Sequence, residues 1–426
     1  MSIDSQTEVE TSHQVHDGRF SYFLRPLAPY YLIIGATTLL LVLGLVMVLS
    51  ASSVTSYAAN GSSFAVALKQ LMWVAIGLPI MVGLSRAPVK FYRRTALFLV
   101  VLAFILLMLV FVPGLGKSVN GNRNWIDFGG PIRIQPSEFA KFALIVWGAH
   151  LLALKETRGE DWIYVIKRLG LVAVGFLLLV LAGGDLGTSL VLMAITGALL
   201  FFAGIPMRVL AIVIGLGLGA ASILSLSHGY RRQRFQSWLD PSSDPLGAGW
   251  QALHSTYALA SGGWWGVGLG ASREKWGDLP EAHTDFIFAI IGEELGLFGT
   301  LVVLALLAAI CVSGLVIAIR TKNTFVRLAA AGAVTWILIQ AVVNVGAVLG
   351  LLPITGIPLP LVSYGGSALI PTMAAIGMLM AFSRREPDAV VALQMRGPNP
   401  WRRFFSDARS GSNSNAALHA VPESGS

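Results

Sequence analysis

Charge is what this sequence has least of. Only 12% of its 426 residues are Asp, Glu, Lys or Arg, about half the share in a soluble globular domain. That scarcity argues against an aqueous enzyme. The formal net charge of +8 would suit nucleic acid, but the basic residues flank apolar runs, a pattern that reports membrane topology instead. Cysteine is nearly missing too. The single Cys311 lies within an apolar run, so no internal disulfide can form and no Cys/His metal spacing exists. No phosphate-binding Gly-rich loop, zinc-binding His pair or Gly-x-Ser-x-Gly elbow is present. Without a nucleotide site, any chemistry must run on an activated substrate or an existing gradient. No internal repeat is visible, which weakens an inverted-repeat transporter. No cleavage site follows the first apolar run, so that run reads as a retained helix.

What the chain does have is hydrophobic length, with 55% apolar residues. A membrane helix needs roughly 20 of them in succession. Ten stretches qualify: about 30–50, 66–85, 95–113, 137–154, 164–182, 187–204, 207–227, 285–319, 327–351 and 362–383. Open sheets and loops cannot cross lipid. The expected fold is therefore all-α, a polytopic integral membrane protein of about ten transmembrane helices. Under that reading, 20 of the 30 Lys and Arg residues lie on the side that holds both termini, and nine on the other. The excess predicts cytoplasmic termini. Residues 1–29 form a polar N-terminal tail. Residues 384–426, rich in Ser, Asn, Gly and Arg, read as a disordered C-terminal tail.

The opposite, extracytoplasmic side carries the loop at 228–284 between spans seven and eight. It also carries a shorter loop at 114–136 and the break at 183–186. Loops on a rigid scaffold are where function concentrates. The large loop ends in Leu279-Pro280-Glu281-Ala282-His283-Thr284-Asp285-Phe286. Thr284 or Asp285 can cap the helix that follows. Equally, Asp285 is a carboxylate at the membrane surface, kept ionised by the helix dipole and available as a general base. Glu293 and Glu294 follow inside the span, where acidic groups are costly and are either paired or functional. Glu138 and Lys141 are three residues apart, on one helix face, and can pair as a structural strut or form the wall of a polar cavity. Asp185 can cap span six. Arg231, Arg232 and Arg234 interleave with Tyr230 and Phe235, suiting either a pyrophosphate or an interfacial anchor. Ser363-Tyr364-Gly365-Gly366-Ser367 opens span ten, and its glycines permit close backbone approach.

Several segments, taken in order, resemble one family. They are Asn124-Trp125-Ile126-Asp127 with Arg133-Ile134-Gln135-Pro136-Ser137-Glu138, then Gly184-Asp185-Leu186-Gly187-Thr188, then Asp244-Pro245-Leu246-Gly247-Ala248-Gly249-Trp250-Gln251. Leu279 to Gly296 and Pro358 to Ser367 complete the set. The chain is similar, over roughly residues 30–385, to the SEDS (shape, elongation, division and sporulation) family, and more to its cell-division branch than to its elongation branch. The resemblance implies a peptidoglycan glycosyltransferase that polymerises lipid II in septal wall synthesis, at the bacterial inner membrane. It implies a class B penicillin-binding protein and other divisome proteins as partners. It makes Asp285 the catalytic residue, and places Arg133, Glu138 and Lys141 in the polar cavity. The family's Gln-Pro before the aspartate is Gly183-Gly184 here, so Asp185 carries over without a backbone geometry. The substrate-binding candidates are then Arg133, Glu138, Lys141, Asp185, Arg231, Arg234, His283 and Ser363. Leaving-group charge needs cations, which Arg133, Lys141 and the 231–234 arginines can supply. A divalent ion, Mg²⁺ or Mn²⁺, is a further candidate, although no site for one is legible.

Two other classes compete. Intramembrane Glu138, Lys141 and Glu294 would suit a lipid II flippase or other transporter, but such a path needs polar residues through the full depth of the bilayer. Here they gather toward one face. A non-catalytic scaffold for a transpeptidase is the third reading. It would be indifferent to the carboxylate of Asp285.

Overall fold

The computed structural model describes residues 26–391 apart from residues 120, 121, 128, 130–132, 159–161, 213, 214, 216, 218, 220–236, 248, 278, 387 and 388. The expected N-terminal tail up to residue 25 and the C-terminal tail from 392 lie outside the described residues. The chain is an all-α membrane protein with, among the described residues, one small sheet. Its helices are α1 (Ala28–Asn60), α2 (Ala65–Arg86), α3 (Val89–Leu109), α4 (Pro136–Arg158), α5 (Trp162–Ala182), α6 (Leu186–Phe202), α7 (Trp250–Gly262), α8 (Ile287–Arg320), α9 (Thr324–Val348) and α10 (Leu369–Ser383). Seven helical stretches among the described residues are long and apolar enough to cross a bilayer, and α6 is a shorter apolar helix. Of the expected span at 207–227 only the start is described in full, and residues 207–212 are helical.

Burial sorts these helices into two rings. The apolar windows of α4, α9 and the stretch Gly366–Ser383 are 78%, 78% and 89% buried, whereas those of α2 and α3 are only 28% buried. The exposed side of α3 is Leu97, Phe98, Val101, Leu102, Ile105 and Met108. A stripe of that size would be a liability in water; here it faces lipid. The inner helices α9 and α4 pack on each other and on α6, and α10 packs on α2. The α2–α10 contact is close because Gly377 has no side chain. A Cβ there would come within 2.5 Å of the Met81 carbonyl oxygen. Small residues of this kind let membrane helices approach where no hydrophobic effect pulls them together.

Two helices outrun the bilayer. At about 1.5 Å per residue, the 33 residues of α1 and the 34 of α8 reach about 50 Å, against about 30 Å of hydrocarbon. α8 solves this with a break. Gly296 has φ 67° and ψ −166°, a conformation only glycine adopts easily, and splits off a first segment from the long apolar remainder. α10 is shorter than the expected 362–383. Leu361 (φ 65°) and Gly366 (φ 46°) take left-handed backbone that no α-helix accommodates, and a 3-10 turn at Gly366–Ala368 leads into α10.

Between α3 and α4 the loop forms a three-stranded antiparallel sheet: β1 (Gly116–Val119), β2 (Asn122–Asp127) and β3 (Arg133–Ile134), with β2 central. Arg123 N–H donates to the Gly183 carbonyl at 2.8 Å. This joins the sheet to the turn between α5 and α6. Sheet, turn, α7 and the 349–366 segment therefore share one end of the bundle.

Candidate functional site

At that end, two segments clasp each other around Asp285. The first is 281–286, a turn rather than the start of α8. The helix begins at Ile287, and its N-cap residue Phe286 makes no side-chain cap bond. Of the two expected caps, Thr284 or Asp285, Thr284 does not form one. The Thr284 hydroxyl instead donates to the Glu281 carboxylate at 2.7 Å. The second segment is 355–364. Ser363 Oγ donates to the Thr284 carbonyl at 2.6 Å and accepts from Leu359 N–H at 2.8 Å. Tyr364 N–H donates to the His283 carbonyl at 2.9 Å. Gly356, with φ 75°, presents bare backbone to the carboxylate, and a Cβ there would stand 3.6 Å from Asp285 Oδ2. Glu281 (φ 57°) and Leu361 (φ 65°) are the non-glycine residues with left-handed φ among the described residues, one in each segment. Such strain costs about 1–3 kcal/mol per residue and persists only where its surroundings over-determine it.

A third element supplies the lock. Asn344, buried on α9, donates one amide hydrogen to the Asp285 carbonyl at 2.7 Å and the other to the Ile357 carbonyl at 2.8 Å. The sequence gives no sign of it, because a lone asparagine in an apolar span reads as ordinary interhelical glue. Replacing Asn344 with Leu removes both bonds and strands two carbonyls at about 1–3 kcal/mol each. We expect the variant to fold but to lose at least tenfold in turnover, measured against its thermal unfolding midpoint.

Ser363 thus holds the turn through backbone contacts, and His283 sits beside it. The His283 ring lies 5.6 Å from that of Tyr364. Burial pushes its pKa below the usual imidazole value, against an opposing pull from Glu281. Burial also raises the Tyr364 phenol, with Arg133 opposing, so that hydroxyl stays protonated. The depressed imidazole makes stability pH-dependent. The unfolded chain takes up a proton near 6.5 while the folded one does not, so stability is complete above that pH and falls as pH drops toward the folded pKa. Unfolding midpoints of the wild type should decline below about pH 6.5, and those of His283→Gln should decline less.

The remaining candidates form a second cluster. Glu138 and Lys141, on α4, are about 1% exposed and pair at 2.6 Å, with the ammonium 5.2 Å from the Trp336 ring centroid. Asp185 caps α6, accepting from Thr188 N–H at 2.8 Å. Its other oxygen accepts from Thr188 Oγ1 at 2.7 Å and Gln135 Nε2 at 3.1 Å. Gln135 N–H in turn donates to Ser367 Oγ at 2.9 Å. Asp185 thereby ties the N-termini of α4 and α6 to the approach to α10. Arg133 is half-exposed and pairs with Asp127 at 3.3 Å. The Gly129 N–H and Lys117 hold the Asp127 carboxyl below the usual range. Arg231, Arg232 and Arg234 lie outside the described residues.

Glu293 and Glu294 turn out to staple a loop. Glu293 accepts from Ser272 Oγ and, at 2.8 Å, from Arg273 N–H. Glu294 accepts from Ser50 Oγ of α1 at 2.6 Å and pairs with buried Lys275 at 3.2 Å. Residues 262–276 are thus riveted to α1 and α8. Among the described residues, no group of three or more His, Cys, Asp or Glu is arranged to hold a metal ion.

Comparisons with known proteins agree with this architecture. Residues 30–387 match the FtsW/RodA/SpoVE family of cell cycle proteins. The chain is 44% identical over 377 residues to the probable peptidoglycan glycosyltransferase FtsW of Mycobacterium tuberculosis, covering 88% of this chain and 72% of that one. It is 39% identical to stage V sporulation protein E of Bacillus subtilis, covering 84% and 97%. Among solved structures, it is similar to Thermus thermophilus RodA (TM-score 0.62, 26% identity, covering 83% and 96%). It is also similar to a chain of a peptidoglycan synthase complex that coordinates polymerization and crosslinking (TM-score 0.66, 27% identity, covering 83% and 97%). The chain therefore belongs to the FtsW/RodA/SpoVE family, the SEDS family that its sequence segments resemble.

Proposed function

We propose that this membrane protein, a peptidoglycan glycosyltransferase by its family and relatives, polymerises lipid II with Asp285 as general base. The observation that carries the reading is the double hold on the backbone at Asp285. Its carbonyl is tied by Asn344, the preceding carbonyl by Ser363, and its carboxylate faces bare backbone at Gly356. A base must be placed within hydrogen-bond reach of the proton it takes, and here the backbone that carries the carboxylate is anchored from two other elements.

The undecaprenyl tail of lipid II stays in the bilayer, and its sugars and pyrophosphate reach the surface. The acceptor's GlcNAc 4-hydroxyl attacks C1 of the donor MurNAc, the C1–O bond to the pyrophosphate breaks, and Asp285 takes the hydroxyl proton. C1 inverts, so one carboxylate suffices. Undecaprenyl pyrophosphate leaves with its charge met by cations. Arg133, half-exposed beside Asp127, is suited to that task. The basic bias predicts cytoplasmic termini, and the active end therefore faces outward from the inner membrane, at the septum. A class B penicillin-binding protein, with other divisome proteins, is the expected partner, in keeping with the similarity to a synthase complex.

The test is lipid II polymerisation by the purified full-length protein, alone and with its transpeptidase, read as glycan strands on a gel. Strands support the enzyme. Their absence under all partner and cation conditions, together with lipid II transfer across vesicles, would replace it with a flippase.

A further inference from the structure

Beside the clasp lies a cleft of about 780 Å³, which nothing in the mechanism above uses. That volume falls within the usual range for a ligand site, roughly 300–1,000 Å³. Its lining includes Trp238, Trp250, Gln251, Tyr257, Glu281 and Ile354. The aromatic groups are held in place. The Trp250 ring lies against that of His254, tilted by 31° with centroids 4.1 Å apart, and His254 Nδ1 is 2.6 Å from Glu274 Oε2. Trp238 Nε1–H donates to the Gly350 carbonyl at 2.9 Å, fixing that wall to the end of α9. Rings fixed in advance lower the ordering cost of binding.

The lining chemistry selects a ligand. Among the described residues the lining holds no Lys or Arg, and it does hold the Glu281 carboxylate, which would repel a pyrophosphate. A lipid tail would have no use for Gln251, Thr256 and Glu281. A pyranose ring fits both features. Its C–H face packs on the electron-rich face of an aromatic ring, while its equatorial hydroxyl and acetamido groups reach polar side chains at the edge.

Position narrows the choice further. The Glu281 carboxylate accepts from Thr284, the neighbour of Asp285. Ile354 lies two residues before Gly356, which faces the Asp285 carboxylate. The cleft thus shares a wall with the candidate base. Resting on the glycosyltransferase reading, we propose that this cleft holds the sugar backbone of the nascent glycan strand beyond the reacting linkage, and so keeps the strand on the enzyme between couplings.

The probe is a lipid-free GlcNAc–MurNAc tetrasaccharide, titrated into the full-length protein in complex with its transpeptidase. Tyr257 is 52% exposed, so Tyr257→Ala leaves the packing intact, and Trp250→Ala is the second variant. Each should weaken tetrasaccharide binding roughly three- to tenfold, the range of an aromatic stacking contact, and shorten the strands made from lipid II. Tyr257→Phe should restore both. Because binding is read without turnover, tetrasaccharide binding that depends on Tyr257 would uphold the cleft even if no strands form. Wild-type strands accompanied by unchanged binding and strand length in both alanine variants would overturn it and leave the polymerase standing. A photo-crosslinker at Thr256 that captures the transpeptidase rather than glycan would likewise overturn it.

Discussion

Asp285→Asn should abolish glycan strand formation. The amide has nearly the shape of the carboxylate but cannot take a proton, so the expected loss is the full contribution of a positioned base, about 10²–10⁴-fold. Stability should barely change. Asn344 and Ser363 grip the carbonyls of residues 285 and 284, not the side chain, so the clasp survives the substitution. Asp285→Glu separates position from charge. It keeps a base but displaces it by one methylene, and a misplacement of about 1 Å can cost roughly 100-fold. The order of rates should therefore be Asp, then Glu, then Asn, at similar unfolding midpoints and equal partner binding. An Asn variant that polymerises lipid II at the wild-type rate would remove Asp285 from the chemistry.

Much of this arrangement is legible in the sequence because membrane physics writes it there. Long apolar runs must be helices, and the outer helices appear near their expected places. Asp285 stands out as a charge at a span boundary, and the Glu138–Lys141 spacing announces a pair. Geometry that depends on distant contacts is not legible. Asn344 meets carbonyls 59 and 13 residues away, and nothing local marks it as a lock. Glu294 is readable as a buried acid in need of a partner, but Ser50 is 244 residues distant. The sheet at 116–134 escapes because its strands have four, six and two residues, too short to show alternation. The late start of α10 and the break at Gly296 are set by left-handed backbone at Leu361, Gly366 and Gly296, which hydropathy alone does not register.

The Glu138–Lys141 pair gives the sharpest test of the inner cluster. Lys141→Met leaves the buried Glu138 carboxyl without its counter-ion, and breaking such a pair typically costs about 3–5 kcal/mol. The unfolding midpoint should fall markedly. The double variant Glu138→Gln/Lys141→Met removes both charges and should recover most of that loss, since apolar or neutral replacement of a whole buried pair is often close to neutral. Activity should not recover with it. Among the described residues, Glu138 Oε2 and Ser137 Oγ are buried without a hydrogen-bond partner, a costly state for a purely structural strut. A ligand's polar atoms, like an ordered water, would satisfy both. A double variant that is stable yet slow in strand synthesis would therefore assign the pair to the substrate. One that is both stable and fully active would make it a strut, and the unpaired Glu138 oxygen would then need a different explanation.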